Sequence, residues 1–98
     1  MEHIKLVVMI CEEALEPLLL PLLLTAGAKG YSVCEARGRG NRGDRDARWS
    51  LSANIRIEVL CSAETAEHIV AIVHEKFSIN YGLVIYVLDA DVLRTDKF

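Results

Sequence analysis

The sequence has too few cysteines for a disulfide framework, and their spacing does not suit a metal site built from CxxC pairs. There are three in 98 residues, Cys11, Cys34 and Cys61, and no two of them form a CxxC pair. Disulfide scaffolds and structural zinc sites both need cysteines that can be matched in pairs. We therefore expect a reducing compartment, with each cysteine acting as a small buried apolar residue.

Histidines and catalytic motifs are equally scarce. The three histidines, His3, His68 and His74, share no helical or strand spacing that would let them bind one metal ion. No serine or cysteine stands in a recognisable nucleophile motif, and carboxylates cluster only in ordinary helical segments. We predict exposed histidines, no metal, no cofactor and no enzymatic activity.

The sequence also lacks a long apolar run and an excess of positive charge. Its richest apolar run, residues 18–24, is far too short to span a bilayer, and the N-terminal residues do not resemble a secretory leader. A net charge of -3 argues against a surface built for nucleic acid or anionic membrane. We expect a cytoplasmic protein that does not bind nucleic acid.

Apolar side chains are abundant for so short a chain. They make up 52% of the residues, against 26% charged residues. A small domain has little interior in which to bury them. Part of the apolar surface is therefore expected to lie between subunits.

The first half of the sequence predicts a strand, a helix and a second strand. Residues 4–10 are almost continuously apolar, typical of a strand buried on both faces. Residues 31–36 predict the second strand. Between them, a helix is expected from Glu12 to about Gly27, with its buried stripe formed by Leu15, Leu18, Leu19 and Leu22.

The second half predicts a long loop, a strand, a helix and a last strand. Residues 37–50 form the loop, and residues 54–60 alternate as a half-buried strand does. Ser62 is a suitable N-cap for a helix whose buried face is expected to comprise Ala66, Ile69, Val70 and Val73. Residues 83–88 predict the last strand, followed by a short helical turn over residues 89–93.

This order predicts an α+β fold, a ferredoxin-like βαββαβ sandwich with helices on one side of the sheet. The other face of the sheet is left uncovered. Since the first and last strands are apolar on both faces, that uncovered face is expected to pack against other subunits.

The loop between the second and third strands concentrates the positive charge. Between Arg37 and Arg48 it carries five arginines and two aspartates, together with three of the six glycines. Glycines let backbone N–H groups approach an anion, and guanidinium groups donate in pairs to phosphate or carboxylate. The pattern favours a small anionic ligand, although a solvated linker or an RNA-binding Arg/Gly segment would have a similar composition.

Several segments resemble the PII-like proteins of inorganic-carbon metabolism, the carboxysome-associated and bicarbonate-transporter-associated branches of the PII superfamily. They are residues 27–33, the Gly38-x-Gly40-Asn41-Arg42-x-x-Arg45 loop, residues 53–58, residues 81–86 and residues 91–93. The resemblance runs nearly end to end. It implies one PII-like domain over residues 1–98, a T-loop at about residues 37–51, and a homotrimer with nucleotide clefts between subunits.

The resemblance also implies which residues bind the nucleotide. Arg42 and Arg45 would meet the phosphates, and Gly38 would permit the bend of the loop. Backbone and side-chain donors would come from Arg39, Gly40 and Asn41, which with Arg42 would also hold bicarbonate. The base and ribose would lie near Ser32, Glu58 and Leu60, and the far wall, called the B-loop, would be Tyr81, Gly82 and Leu83.

Two departures from the nitrogen-regulatory PII pattern restrict which ligands are expected to bind. Residues 81–84 carry no lysine for a terminal phosphate, so ADP, AMP or cyclic AMP is expected to bind better than ATP. The position that those relatives use for 2-oxoglutarate matches Arg42, which argues against nitrogen sensing by that route. The resemblance therefore implies a non-catalytic sensor whose target is a transporter or a carboxysome component. Another trimeric ferredoxin-like module that senses a metal or an amino acid, or an RNA-binding protein, remains an alternative.

Overall fold

The computed structural model describes residues 1–40, 43–45, 53–77 and 82–98. The elements in chain order are β1 (Glu2–Glu12), a 3-10 turn (Glu13–Leu15), α1 (Glu16–Thr25), β2 (Ser32–Ala36), β3 (Gly38–Gly40), β4 (Gly43–Arg45), β5 (Asn54–Cys61), α2 (Ala63–Phe77) and β6 (Val84–Val92). The principal sheet has four antiparallel strands in the order β2-β5-β1-β6, and β3 pairs with β4 in a separate ribbon. This is the predicted α+β arrangement in βαββαβ order.

The core lies between the sheet and the two helices. Alternate residues of β1 and β5, among them Val7, Met9, Ile57 and Val59, are fully buried against the helices. Each such side chain removed from water stabilises the fold by about 1.5–3 kcal/mol. The period of two residues along each strand therefore decides which side chains the helices cover.

The first helix begins later than predicted, and its buried stripe is different. Glu12 still belongs to β1, where it pairs with Asn54, and the Glu13 backbone N–H donates to the Ala53 carbonyl at 2.7 Å. This pairing holds the chain in the sheet past the expected helix start. Consequently Leu15, Leu19 and Leu23 form the buried stripe, whereas Leu18 is exposed and Leu22 is half-buried.

The second helix follows the prediction closely. The Ser62 hydroxyl accepts a hydrogen bond from the Thr65 backbone N–H at 3.1 Å, which confirms the N-cap. Ala66, Ile69 and Val73 are buried, while Val70 is half-buried.

The last strand is longer than predicted, and the helical turn over residues 89–93 was wrong. β6 continues to Val92, which pairs with Glu2 at the start of β1. Charged residues are accommodated there because they face partners across the strands. Lys5 pairs with Asp89, and His3 pairs with Asp91. The Lys5 ammonium lowers the pKa of the Asp89 carboxyl below its ordinary value.

The predicted loop over residues 37–50 contains regular structure. β3 and β4 pair antiparallel, with Gly38 opposite Arg45 and Gly40 opposite Gly43. Residues 38–40 and 43–45 therefore form a narrow two-stranded ribbon, which corrects the expectation of a loop for this described part of the segment. Asn41, Arg42 and Trp49 lie outside the described residues.

The face of the sheet opposite the helices is here called the open face. Its apolar members on β1, β5 and β6 are Leu6, Val8, Ile10, Leu60, Val84, Tyr86 and Leu88. The side chains on β6 are 38–45% exposed in the single chain. The sheet therefore presents an apolar surface that the helices do not cover.

Cysteines and histidines differ in how well they were predicted. Cys11 and Cys61 are buried as expected, and burial raises the pKa of the Cys61 thiol. Cys34 is exposed, so the prediction was wrong for this residue, because it lies on the edge strand β2 and points to the open face. The three histidines are exposed, as predicted.

Candidate functional site

A pocket opens on the open face, at the end of the sheet where β2 begins and β5 ends. It has a volume of about 200 Å³. Ser32 is the first residue of β2 and pairs with Glu58 of β5, and Leu60 follows two residues later on the same face. These are the three residues predicted to lie near the base and ribose. The structure brings them together because strand residues two apart point to the same face.

The pocket combines apolar and polar side chains. Leu60 and Tyr31 provide apolar surface, while Ser32 and Glu58 provide a hydroxyl and a carboxylate. Such a mixture fits a small organic ligand that has an apolar face and a polar edge.

Arg56 is a neighbour of the pocket that the sequence did not single out. Its Nε donates to Glu58 Oε2 at 2.8 Å, and a terminal nitrogen donates to the Tyr86 hydroxyl at 3.2 Å. The hydrogen bond to Glu58 raises the pKa of Arg56 above its ordinary value. The Arg56 guanidinium therefore balances the charge of Glu58 and fixes the carboxylate at the pocket.

The Arg/Gly ribbon lies at the other end of β2. Gly38 follows Ser32 by six residues, about 20 Å along an extended chain. Gly38, Arg39 and Gly40 belong to β3 and Arg45 to β4. The predicted site is thus divided within one chain into a pocket and a ribbon. On the open face between them lie Cys34 and Arg56, which are paired across β2 and β5.

Gly82 and Leu83, the described residues of the predicted far wall, do not line this pocket in the same chain. Gly82 and Leu83 precede Val84, which pairs with Ile10 at the ribbon end of the sheet. Leu83 packs against the buried core, and Tyr81 lies outside the described residues. Any contact of Gly82 or Leu83 with a ligand in the pocket would have to come from another subunit.

Sequence reasoning missed other residues that line the pocket, among them Gly30 and Tyr31 immediately before β2. Lys97 and Phe98 reach it from the C-terminal segment. A lysine next to an aromatic residue is visible at the end of the sequence. The predicted helical turn over residues 89–93, however, did not indicate that this segment would cross from β6 to β2.

A second groove lies on the helix side, between α2 and the β1–β6 pair. It measures about 400 Å³ and is lined mainly by alanine and valine, with Lys5 and Glu67 as its charged residues. None of the predicted site residues that the structure describes belongs to it. Among the described residues there is no group of three or more potential metal ligands, and none of their helices is long and apolar enough to cross a membrane.

Comparison with known proteins shows which proteins this chain resembles in sequence and in fold. The family described as "Nitrogen regulatory protein P-II" matches residues 4–97. A PII-like signalling protein from Thermus thermophilus is 36% identical, with a TM-score of 0.76, and the alignment covers 90% of this chain and 87% of that one.

Two other structures agree in fold. CPII from Thiomonas intermedia K12, a nitrogen regulatory PII-like protein bound to ADP, AMP and bicarbonate, is 26% identical with a TM-score of 0.88, and the alignment covers 99% of this chain and 94% of that one. A DUF3240 family protein from Shewanella baltica is 14% identical with a TM-score of 0.68, covering 97% of this chain and 96% of that one, and shows the fold alone. By its sequence match and its architecture, the chain belongs to the nitrogen regulatory protein P-II family.

Proposed function

We propose that this protein is a non-catalytic PII-like sensor that binds an adenine nucleotide, ADP or AMP in preference to ATP, with bicarbonate as a co-ligand. The unit is a single domain over residues 1–98, which acts in the cytoplasm as a homotrimer. Its clefts lie between subunits, so that each nucleotide meets the pocket of one chain and the B-loop of its neighbour.

The observation that carries the proposal is the pocket of Ser32, Glu58 and Leu60. These residues come from two strands, and the sequence resemblance alone assigned them to the base and ribose. CPII, which is similar over nearly the whole chain, was bound to ADP, AMP and bicarbonate. Both points support an adenine nucleotide as the ligand.

The separation of pocket and ribbon supports an elongated ligand. A nucleotide has an aromatic base at one end and phosphates at the other. With the base in the pocket, the phosphates point along the open face past Arg56 towards the ribbon, where Arg42 and Arg45 are the proposed phosphate contacts. Arg39, Gly40, Asn41 and Arg42 are the proposed donors to bicarbonate, since guanidinium and backbone N–H groups both suit a small oxyanion.

The signal is a change in the T-loop. Pairing of arginines with phosphate favours one conformation of residues 37–51 and alters what that segment can dock against. The proposed output is regulation of carbon uptake or fixation through a partner protein, a transporter or a carboxysome component. P-II relatives include signalling proteins, which supports binding as the output.

Isothermal calorimetry tests this function. AMP, ADP, ATP and cyclic AMP are titrated into the wild type and into the double variant Arg42→Ala/Arg45→Ala, each with and without bicarbonate. We expect micromolar binding of ADP or AMP, a strengthening by bicarbonate, and a loss of at least tenfold in the double variant. Removal of a charge-assisted contact costs about 1.5–3 kcal/mol, which corresponds to a tenfold loss or more.

Lys29→Ala/Lys76→Ala provides the matched control, because it also removes two positive charges but leaves the ribbon intact. If both double variants lose the same affinity, the effect is one of net charge and the phosphate assignment fails. If a correctly folded wild type binds no nucleotide at all, the sensor proposal itself fails.

A further inference from the structure

We propose that the outer side of α1 is a docking surface for an amphipathic helix of a partner protein, with apolar residues along one face of that helix and basic residues in its last turn. The surface, here called the α1 stripe, consists of Pro17, Leu18, Pro21 and Leu24. This inference goes beyond the proposed function, because the stripe lies on the helix side of the sheet and the nucleotide pocket lies on the open face.

The α1 stripe is apolar although it faces water. Its two leucines are 55% and 52% exposed, on the side of the helix opposite the residues buried against the sheet. Pro17, Pro21 and Leu24 are spaced by four and three residues, which places them in one row along the helix. The neighbouring Thr25 donates its hydroxyl to the Pro21 carbonyl at 3.0 Å. No exposed residue of α1, which the structure describes in full, is charged.

The other helix of the same layer has the surface that water usually faces. The exposed residues of α2 include six that are charged or titratable: Glu64, Glu67, His68, His74, Glu75 and Lys76. A helix that packs on a core normally carries such a polar side opposite its apolar one. The apolar outer side of α1 is therefore a property of this helix, and contiguous apolar surface of this kind marks an interaction site.

The two prolines make the stripe rigid. Pro17 lies in the first turn of α1, where proline is tolerated, but Pro21 lies inside the helix. Residue 21 therefore cannot donate the usual hydrogen bond to the Pro17 carbonyl, and an interior proline costs a helix about 3 kcal/mol. A proline ring, however, has no rotamer freedom to lose when a partner covers it. The sequence thus places stiff apolar surface on the exposed side at a cost to the stability of the helix.

The proposed trimer would leave the α1 stripe accessible. The trimer is expected because the open face is apolar, and α1 packs on the opposite side of the sheet. Burial of the open face between subunits therefore covers none of the stripe. A different molecule is needed to cover it.

Charge at the two ends of α1 defines the chemistry of the partner. Glu12 and Glu13 are exposed just before the helix, and Glu16 is half-buried at its first position. None of the ion pairs among the described residues includes these three glutamates. Between them and the exposed Lys29 lies the uncharged stripe, about 15 Å of helix. An apolar helix face that ends in basic residues would complement both features.

The orientation of the partner helix follows from the same charges. Basic side chains are most favourable in the last turn of a helix, where they interact with the negative end of its dipole. A partner helix antiparallel to α1 would bring that last turn beside Glu13 and Glu16. Its apolar face would then lie along the stripe.

The acidic end of α1 argues against two other occupants. An anionic membrane surface would be repelled by it, and α1 has no lysine or arginine to attract lipid headgroups. A second copy of the chain would also fit poorly. Parallel α1 helices would oppose glutamate to glutamate, and antiparallel ones would oppose three glutamates to Lys29 alone.

A synthetic peptide of about 18 residues tests the surface, since shorter helices form poorly in water. It has leucines at i, i+3, i+4 and i+7 along its length and three lysines in its last turn, and fluorescence anisotropy follows the labelled peptide. We expect the wild-type protein to bind it, and Leu18→Ser/Leu24→Ser to weaken binding at least tenfold. A peptide of the same composition with alternating leucines should not bind.

Reversal of charge tests the acidic end. Glu13→Lys/Glu16→Lys should weaken binding of the lysine peptide several-fold, and should strengthen binding of a peptide with three glutamates in place of the lysines. Both effects should diminish at high salt. This pair of variants keeps the stripe intact, so the test remains valid even where the leucine variant folds poorly.

Matched controls carry the same substitutions elsewhere. Leu93→Ser changes a leucine that is 80% exposed outside α1. Glu64→Lys/Glu67→Lys adds the same charge at the start of α2, which lies near Gly27 beyond the other end of α1. Both controls should bind the lysine peptide as the wild type does.

Three outcomes would overturn the inference. The first is a lysine peptide that does not bind, or that binds the two α1 double variants as tightly as the wild type. The second is binding of the wild type, but not of Leu18→Ser/Leu24→Ser, to phosphatidylserine vesicles, which would assign the stripe to a membrane. The third is assembly beyond the trimer that Leu18→Ser/Leu24→Ser abolishes, which would assign it to a second copy. Nucleotide titrations of the same variants should match the wild type, so failure of the sensor proposal and failure of this one are separate results.

Discussion

Gly27 occupies the position where the chain leaves α1. Its φ is +112°, a backbone conformation that residues with a side chain rarely adopt. The Gly27 and Ala28 backbone N–H groups donate to the carbonyls of Leu24 and Leu23, so this turn caps the last carbonyls of the helix. A Cβ added here would also lie 3.0 Å from the Thr65 hydroxyl on α2.

Gly27→Ala should therefore destabilise the protein by about 1–3 kcal/mol, from backbone strain and the contact with Thr65. Chemical denaturation measures the change. Gly30→Ala is the matched control, since a Cβ there would meet nothing within 4 Å, and it should change the free energy of unfolding by less than about 0.5 kcal/mol. Equal losses in the two variants would contradict the conformational argument.

At the scale of the residue, the structure brings together only some of the predicted site residues. Ser32, Glu58 and Leu60 line one pocket, and their role near a base and ribose stays a prediction. Lys97 and Phe98 were missed because nothing in the local sequence reveals that Thr95 is tied to Glu2, 93 residues away. Local patterns report on neighbours in sequence, whereas a pocket wall is set by contacts across the fold.

Among the elements, α1 departs furthest from its prediction. Its sequence is almost entirely leucine and proline, so apolar residues lie all around the helix. The sequence therefore does not indicate which face is buried. The face was decided by where β1 ends. The pairing of Glu12 with Asn54 delays the helix, so that Leu19 and Leu23 point into the core whereas Leu18 does not.

Adjacent leucines of α1 test this assignment. Leu19 is fully buried and Leu18 is 55% exposed. Leu19→Ala should lower the free energy of unfolding by about 2–5 kcal/mol, because it leaves a cavity among packed side chains. Leu18→Ala should lower it by less than about 1 kcal/mol. Denaturant unfolding of both variants measures the difference, and similar losses would mean that the helix is rotated from the orientation described.

For the molecule as a whole, the open face is the apolar surface that the fold leaves uncovered. Val84, Tyr86 and Leu88 remain 44%, 38% and 45% exposed on β6, an edge strand of the sheet that the described residues form. Contiguous apolar surface of this kind usually marks an interface. Burial of the open face between copies of the chain is the basis on which we expect a trimer.

Leu88→Asp should break that assembly, because a carboxylate would be buried without a partner at the subunit interface. Light scattering of the wild type should give three times the mass of the chain, and the variant should give the mass of one. Leu93→Asp, exposed beyond the end of β6, should remain trimeric. A monomeric wild type at micromolar concentration would contradict the role assigned to the open face.

The sequence by itself determined the elements whose signal is local. Alternation predicted β5, and the Ser62 cap with its stripe of Ala66, Ile69 and Val73 predicted α2, because these patterns depend on residues within a few positions of one another. The order of elements then restricted the topology to a βαββαβ sheet.

Tertiary structure decided where the elements end and what meets at the pocket. The pairing of Val92 with Glu2 extended β6 over residues that resemble a helical turn, and the same pairing directed the C-terminal turn towards Ser32. These contacts join the two ends of the chain. Their free energy depends on the whole sheet being formed, and therefore no local pattern could reveal them.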